Sequence, residues 1–146
     1  MNCQDVMTPA PACCVPEDLV VDVARLMRQQ DIGAIPVVAD QESLRLVGMV
    51  TDRDLAVRVI AEGRDPRDTM ARDVMSMQPV TCLNTDVYQQ ALQAMGEHQV
   101  RRIPVVDAQG RLAGIIAQAD VATRLAEPST TGAVVEAISE PATSLR

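Results

Sequence analysis

Two stretches decide how this chain is read: GMVTDRD at Gly48–Asp54 and GIIAQAD at Gly114–Asp120. Each opens on a glycine, runs through apolar residues and closes on an aspartate. Thr51 of the first becomes Ala117 in the second. A near copy of this kind points to an internal repeat, and the rest of the chain can be aligned on it. Displaced by 68 residues, DVM at 5–7 falls on DVM at 73–75, Pro11 on Pro79 and Cys14 on Cys82. Asp18 falls on Asp86, Met27 on Met95, and IPVV at 35–38 on IPVV at 103–106. Beyond that point the displacement drops to 66, pairing Arg45-Leu46 with Arg111-Leu112, Gly48 with Gly114 and Asp54 with Asp120. The first copy therefore has the longer hairpin loop (ADQES against DAQG), the kind of insertion loops tolerate.

Each copy predicts the same elements in the same order. An extended piece comes first, Ala12–Val15 or Val80–Leu83. Asp18 and Asp86 stand near helix starts, where a carboxylate suits exposed amides and the helix dipole. Val20, Val23/Ala24 and Met27 mark one helical face, and Tyr88, Ala91/Leu92 and Met95 its counterpart. Apolar strands follow at Ile35–Val38 and Ile103–Val106, then at Leu46–Val50 and Leu112–Ile116. The last element is a helix, Asp52–Ala61 or Gln118–Ala126, with Val59/Ile60 and Leu125/Ala126 on its apolar side. The fold class is α+β, with the order β-α-β-β-α written twice. The expected organisation is repeat 1 at 2–62, a polar linker at 63–72, repeat 2 at 73–127, and a tail at 128–146 that includes a short helix.

Composition narrows the function classes. The 146 residues are 47% apolar, yet include one Tyr and no Phe or Trp, so the core is aliphatic. Aromatic stacking on single-stranded nucleic acid is excluded. The net charge of -7 and the absence of a basic run exclude phosphate-backbone binding more generally. A pair of arginines can still hold a small anion. No apolar run approaches the roughly 20 residues of a membrane span. MNCQDVMTPA has no basic, apolar leader, which predicts a cytoplasmic protein with no membrane partner. Cys3, Cys13, Cys14 and Cys82 form no CxxC pair and His98 is the sole histidine, so no metal site is expected. Nor is a catalytic residue: His98 suits a helix C-terminus, and no nucleophile motif accompanies it. The equivalence of Cys14 and Cys82 raises the possibility of a thiol pair on a pseudo-twofold axis.

The stretches DIGAIPVV, GMVTDRD, AEGRDP and EHQVRRIPVV together resemble a pair of CBS domains, named for cystathionine β-synthase, of the small stand-alone type. The likeness covers roughly residues 2–127. It implies two repeats packed through their sheets with pseudo-twofold symmetry, homodimerisation, and a regulatory role with no enzyme activity. It also implies an adenosine compound (AMP, ADP, ATP, S-adenosylmethionine or a dinucleotide) in clefts between the repeats, with no cofactor required and an effector protein of unknown identity.

The residues of the turn have two chemical readings. Thr51 followed by Asp54 is a capping-box pattern that needs no ligand. The same geometry offers a hydroxyl to a phosphate and a carboxylate to ribose hydroxyls. Gly48 leaves room for backbone or ligand to approach. In the second copy Ala117 cannot donate, Asp120 still can hold a ribose, and Arg101-Arg102 precede IPVV where the first copy has Gly33-Ala34. Arginine forks match phosphate; a solvated strand edge is the alternative. By resemblance the adenine slot is lined by Ala12, Cys13, Ile35 and Pro36 in copy one, and by Val80, Thr81, Ile103 and Pro104 in copy two. Unequal sites are expected, the Thr51/Asp54 site the better. The alternatives are a ligand-free structural or interaction protein, a thiol-based redox sensor and, with only His98 and scattered acids behind it, a small hydrolase.

Overall fold

The computed structural model of the chain describes residues 1–119. Its elements are α1 (Cys3–Val6), β1 (Thr8–Pro9), α2 (Val20–Gln30), β2 (Ala34–Val38), β3 (Leu46–Thr51) and α3 (Asp52–Leu55), the last continued by a π-helical turn, Ala56–Ile60. They go on as α4 (Ala71–Val74), β4 (Ser76–Met77), β5 (Cys82–Leu83), α5 (Tyr88–His98), β6 (Arg102–Val106) and β7 (Leu112–Ala117). The class is α+β; the predicted first strand at Ala12–Val15 is reduced to a bridge at Cys14, and a short helix and strand not predicted, α1–β1 and α4–β4, stand ahead of it and of its counterpart β5. The expected helix at 118–126, Leu125/Ala126 on its apolar side, and the tail at 128–146 lie outside the described residues.

The described residues form two compact units. One holds residues 10–79 with 108–112; the other holds, among the described residues, 1–9, 80–107 and 113–119. Repeat and unit therefore do not share boundaries. In the first unit the order across the sheet is Cys14, β2, β3, β4: Cys14 bridges Val37 in parallel, β3 runs antiparallel to β2, and β4 antiparallel to β3. In the second the order is β5, β6, β7, β1. The DVM segment that opens each repeat thus lays the strand that follows it on the other repeat's hairpin. β1 pairs with β7 (Thr8 opposite Ile115), and β4 pairs with β3 (Met49 opposite Ser76).

The glycines of the opening motif explain how these strands seat. A Cβ on Gly48 would lie 2.7 Å from Met75 Sδ and 3.0 Å from the Ser76 carbonyl oxygen. On Gly114 it would lie 2.7 Å from Met7 Cγ and 2.8 Å from the Thr8 carbonyl oxygen. Met7 and Met75 are the methionines of the two DVM stretches. Each glycine is a flat seat for the methionine and backbone of the exchanged segment, so the close approach is by backbone.

The stretch 63–72 is packed rather than a free linker. Thr69 is buried and its hydroxyl donates to the Asp65 carbonyl at 2.8 Å. The first amides of α2, which no side chain caps, donate instead to the carbonyls of Thr69 (2.8 Å) and Pro66 (3.1 Å). Ala71 N donates to Asp18 O at 2.8 Å and Arg72 N to Pro16 O at 3.0 Å; Cys3 N to Asp86 O and Gln4 N to Asn84 O repeat the pair in the other unit. Asp18 and Asp86 do not cap the helices. Their Oδ2 atoms accept from Val15 N (3.0 Å) and Leu83 N (2.9 Å), closing the turn ahead of each helix.

Two aliphatic cores follow from the predicted faces. Val20, Val23 and Met27 pack with Ile35, Val37 and Val50 in one unit; Tyr88, Ala91, Leu92 and Met95 pack with Ile103, Val105 and Ile116 in the other. Two predictions of face are corrected. Ala24 is exposed, because the buried stripe of α2 runs through Val20, Val23 and Met27 alone. Ile60 is 76% exposed while Val59 is buried. The π turn, closed by Ala61 N to Ala56 O at 2.9 Å, widens the helix and carries residue 60 off the core face.

Candidate functional site

β2 is extended and fully buried, with a proline at its centre. Cys14 N donates to Pro36 O at 3.0 Å and Val38 N to Cys14 O at 2.8 Å. In this parallel ladder the next bond would run from the amide of residue 36 to the carbonyl of Ala12. Proline has no such amide. Ala12 O is left without its ladder donor, beside half-buried Cys13 and buried Ile35 and Pro36. The second unit repeats this arrangement. Cys82 lies opposite Val105, so Pro104 leaves the Val80 carbonyl unmatched, beside half-buried Val80, exposed Thr81 and buried Ile103. Beside the residues expected to line each slot there is thus a gap in the ladder, where among the described residues no strand donor meets the Ala12 or the Val80 carbonyl. Pro36 sits between strands rather than at an edge, and its missing donor faces that gap.

Across β2, Ala34 pairs with Thr51, so the turn Thr51–Asp54 stands two residues along from Pro36. Asp52 N donates to Gly33 O at 2.9 Å, fixing the strand end. Thr51 Oγ1 accepts from Asp54 N at 3.1 Å, and Asp54 Oδ2 accepts from Thr51 N at 2.8 Å. The capping box is complete, and the threonine hydroxyl proton is uncommitted within it. Asp54 Oδ1 faces Arg58 Nε at 3.7 Å; the Asp54 side chain is 13% exposed. Arg58 also donates to Val74 O at 2.9 Å, tying the turn to α4. The sequence reading missed Arg58, although an acid followed four residues later by an arginine is a helical ion-pair spacing. Replacing Thr51 by alanine removes the cap, and the expected cost is about 1 kcal/mol of stability, read from a denaturant midpoint.

In the second unit Gln118 N donates to Arg101 O at 2.8 Å, the counterpart of Asp52 and Gly33. Here a cavity of about 250 Å³ is lined by Arg101, Arg102, Ala117, Gln118 and Ala119. Arg101 is exposed and Arg102 half-buried, and among the described residues neither has an ion-pair partner. Asp120 lies outside the described residues. The structure thus brings Ala12, Cys13, Ile35, Pro36, Thr51 and Asp54 onto one unit. It brings Val80, Thr81, Ile103, Pro104, Arg101 and Arg102 onto the other.

Cys14 and Cys82 belong to different units, and the Cys82 thiol is hydrogen-bonded to that of Cys3. Burial raises the Cys14 thiol from the ordinary 9.0 to about 12, and burial likewise raises Cys3 and Cys82. Cys13, half-buried, donates its thiol proton to Gln41 Oε1 at 3.5 Å; burial is the main cause of its raised thiol, opposed by that bond. At neutral pH Cys13 is expected to alkylate first, with the other three reacting only as the chain opens; a mass-resolved time course with iodoacetamide checks the order. Among the described residues no three His, Cys, Asp or Glu side chains come together as a metal cluster, and no helix is long and apolar enough to cross a membrane.

Comparison with known proteins follows this geometry. The family model for the CBS domain matches twice, at residues 3–60 and 71–127. The chain is 40% identical over 136 residues to the CBS domain-containing protein YhcV of Bacillus subtilis, covering 93% of this chain and 94% of that one. It is 36% identical to hypoxic response protein 1 of Mycobacterium tuberculosis, covering 85% of each chain. The crystal structure of hypoxic response protein I with two coordinated zinc ions superposes with a TM-score of 0.77, at 35% identity, over 85% of this chain and 98% of that one. CBSX2 of Arabidopsis thaliana, solved in complex with AMP, gives 0.74 at 26% identity over 88% and 98%.

Proposed function

The chain belongs to the CBS-domain family and carries two CBS domains; from that premise we propose that it is a non-catalytic regulatory module whose two half-sites take an adenosine-containing ligand. The observation that carries this reading is the proline-made gap beside Ala12 and Val80. A carbonyl without its ladder donor in an apolar slot accepts a hydrogen bond from the exocyclic amine of adenine, while Ile35 and Ile103, fully buried, back the slot from the core side. From that slot the turn at Thr51 is one strand across. The Thr51 hydroxyl donates to a phosphate while still accepting from Asp54 N. Asp54 keeps Oδ2 on its cap and offers Oδ1 to a ribose hydroxyl. In the second half-site Arg101 and Arg102 supply the cation that Ala117 cannot replace. AMP bound to CBSX2, at 26% identity, supports the ligand class.

The arginines assign a direction to the test. Charge-assisted hydrogen bonds contribute about 1.5–3 kcal/mol each. The double variant Arg101→Ala/Arg102→Ala is expected to weaken AMP, ADP or ATP at least tenfold in calorimetric titration, and to leave adenosine unchanged. Asp120→Ala and Asp54→Ala, run beside it, rank the two half-sites; the larger loss is expected at Asp54. A second reading, a CBS pair that acts through protein contacts with empty clefts, draws on the completeness of the Thr51–Asp54 cap. It takes over if no adenosine compound, NAD or S-adenosylmethionine binds at millimolar concentration to protein shown free of carried-over ligand.

A further inference from the structure

The unit that holds residues 1–9 contains a pair of thiols to which the nucleotide reading gives no role. Cys3 is the first residue of α1 and is 0% exposed; Cys82 is the first residue of β5 and is 6% exposed. They share one apolar cluster with Val6, Tyr88 and Ile103, and the two thiols are hydrogen-bonded to each other. The other cysteines, Cys13 and Cys14, lie in the other compact unit. A disulfide needs its sulfurs about 2 Å apart. Two neighbouring thiols approach that separation by rotation about their own side-chain bonds.

We propose that Cys3 and Cys82 are an oxidative cross-linking site, at which a low-molecular-weight disulfide converts the two thiols to one intramolecular disulfide that fastens residues 1–9 to β5. The chemistry is two successive exchanges. One cysteine thiolate attacks a sulfur of the reagent RSSR, forming a mixed disulfide and expelling RS⁻. The second cysteine thiolate then attacks the protein sulfur of that mixed disulfide and expels the other RS⁻. The two protons lost by the cysteines end on two RSH. The reagent is reduced and the cysteine pair is oxidised.

Burial sets the rate. Neither sulfur is reachable while α1 is docked, so the first exchange follows the undocking of α1. That helix has four residues and is held at its start by Cys3 N to Asp86 O (2.8 Å) and Gln4 N to Asn84 O (3.1 Å). A short terminal helix with few attachments belongs to the low-stability end of a fold and opens locally. The second exchange is fast on redocking, because docking places the two sulfurs together. The site therefore records sustained oxidation rather than a brief pulse. Its product locks the exchanged segment, with β1 on β7 and Met7 over Gly114.

The reduced protein is incubated with oxidised glutathione, and samples are mapped by mass spectrometry without reduction. Expected is a loss of two hydrogen atoms in the intact mass and a linked pair of peptides containing Cys3 and Cys82. The link persists in the Cys13→Ser/Cys14→Ser variant and is absent in Cys3→Ser and in Cys82→Ser. The midpoint of thermal unfolding of the linked protein is expected to rise by about 5–10 °C, since the bond closes a long loop in the unfolded chain. A parallel alkylation shows when the Cys3 thiol becomes accessible. If Cys3 alkylates but no Cys3–Cys82 link forms over the same period, the proposal fails. It fails equally if Cys82 links to Cys13 or Cys14, or if the linked protein melts no higher than the reduced one.

Discussion

Gly114→Val is expected to lower stability by about 3 kcal/mol, equivalent to roughly 10 °C in the unfolding midpoint of a domain this size. Even the first carbon of the new side chain would stand 2.8 Å from the Thr8 carbonyl oxygen and 2.7 Å from Met7 Cγ. The methionine can swing aside, but the carbonyl is backbone. β1 has only two residues, paired at Thr8–Ile115 and Pro9–Gly114, so it cannot shift without giving up its pairing. The substitution therefore undocks residues 1–9, and hydrogen exchange at the Cys3 and Gln4 amides should accelerate together with the fall in midpoint. Gly48→Ala is the internal comparison. Its nearest neighbour is the flexible Met75 side chain, with the Ser76 carbonyl at 3.0 Å, so a smaller loss is expected. An unchanged midpoint for Gly114→Val would show that the glycine seat is not what holds the exchanged strand.

The second large effect is alkaline. The Cys14 thiol has its folded pKa raised from 9.0 to about 12, with burial the leading cause and the nearby Asp18 charge the next. Above pH 9 the unfolded chain gives up a proton that the folded chain keeps, so unfolding releases protons and rising pH favours it. Stability from this group is intact below pH 9 and falls as pH climbs through about 12. The slope is about 1.4 kcal/mol per pH unit for each such thiol. Denaturant midpoints measured from pH 8 upward test this, with Cys14→Ser beside the wild type. Serine does not titrate there, so the variant's curve should fall less steeply by one proton's worth. The two absolute midpoints differ for packing reasons and do not enter the comparison. Identical slopes would mean that Cys14 is not protected in the folded state.

Both results bear on how much of this molecule is written in its sequence. The repeat, the aliphatic strands and the faces of α2 and α5 are legible because hydrophobic period and burial coincide there; Val20, Val23, Met27, Tyr88 and Met95 are all in the cores. The exchange of DVM segments is not legible. Alignment identifies which residues are equivalent, and two equivalent segments are chemically alike toward either partner, so only the path of the connecting chain decides which glycine each methionine covers. Ile60 escapes for a different reason: a π turn changes the period that the reading assumed. The site divides the same way. Thr51 and Asp54 announce themselves by the three-residue spacing of a capping box. The unmatched carbonyls of Ala12 and Val80 do not, because they follow from the ladder register. A proline inside an apolar strand is the available signal, and it speaks only once the neighbouring strand and its register are known.

The exchanged segment also fixes an order of events during synthesis. Residues 10–79 are made before residues 80–117, whereas residues 1–9 have their partners among the latter. Strand β1 thus has no β7 to pair with until about a hundred further residues have been made, an interval of about 5–20 s at ordinary elongation rates. Throughout it, Val6 and Met7 remain uncovered on a nascent chain that neighbouring ribosomes can approach. On a crowded polysome the same nine residues can settle on the β7 edge of a chain ahead of them, which makes dense translation the circumstance under which two copies would emerge interlocked.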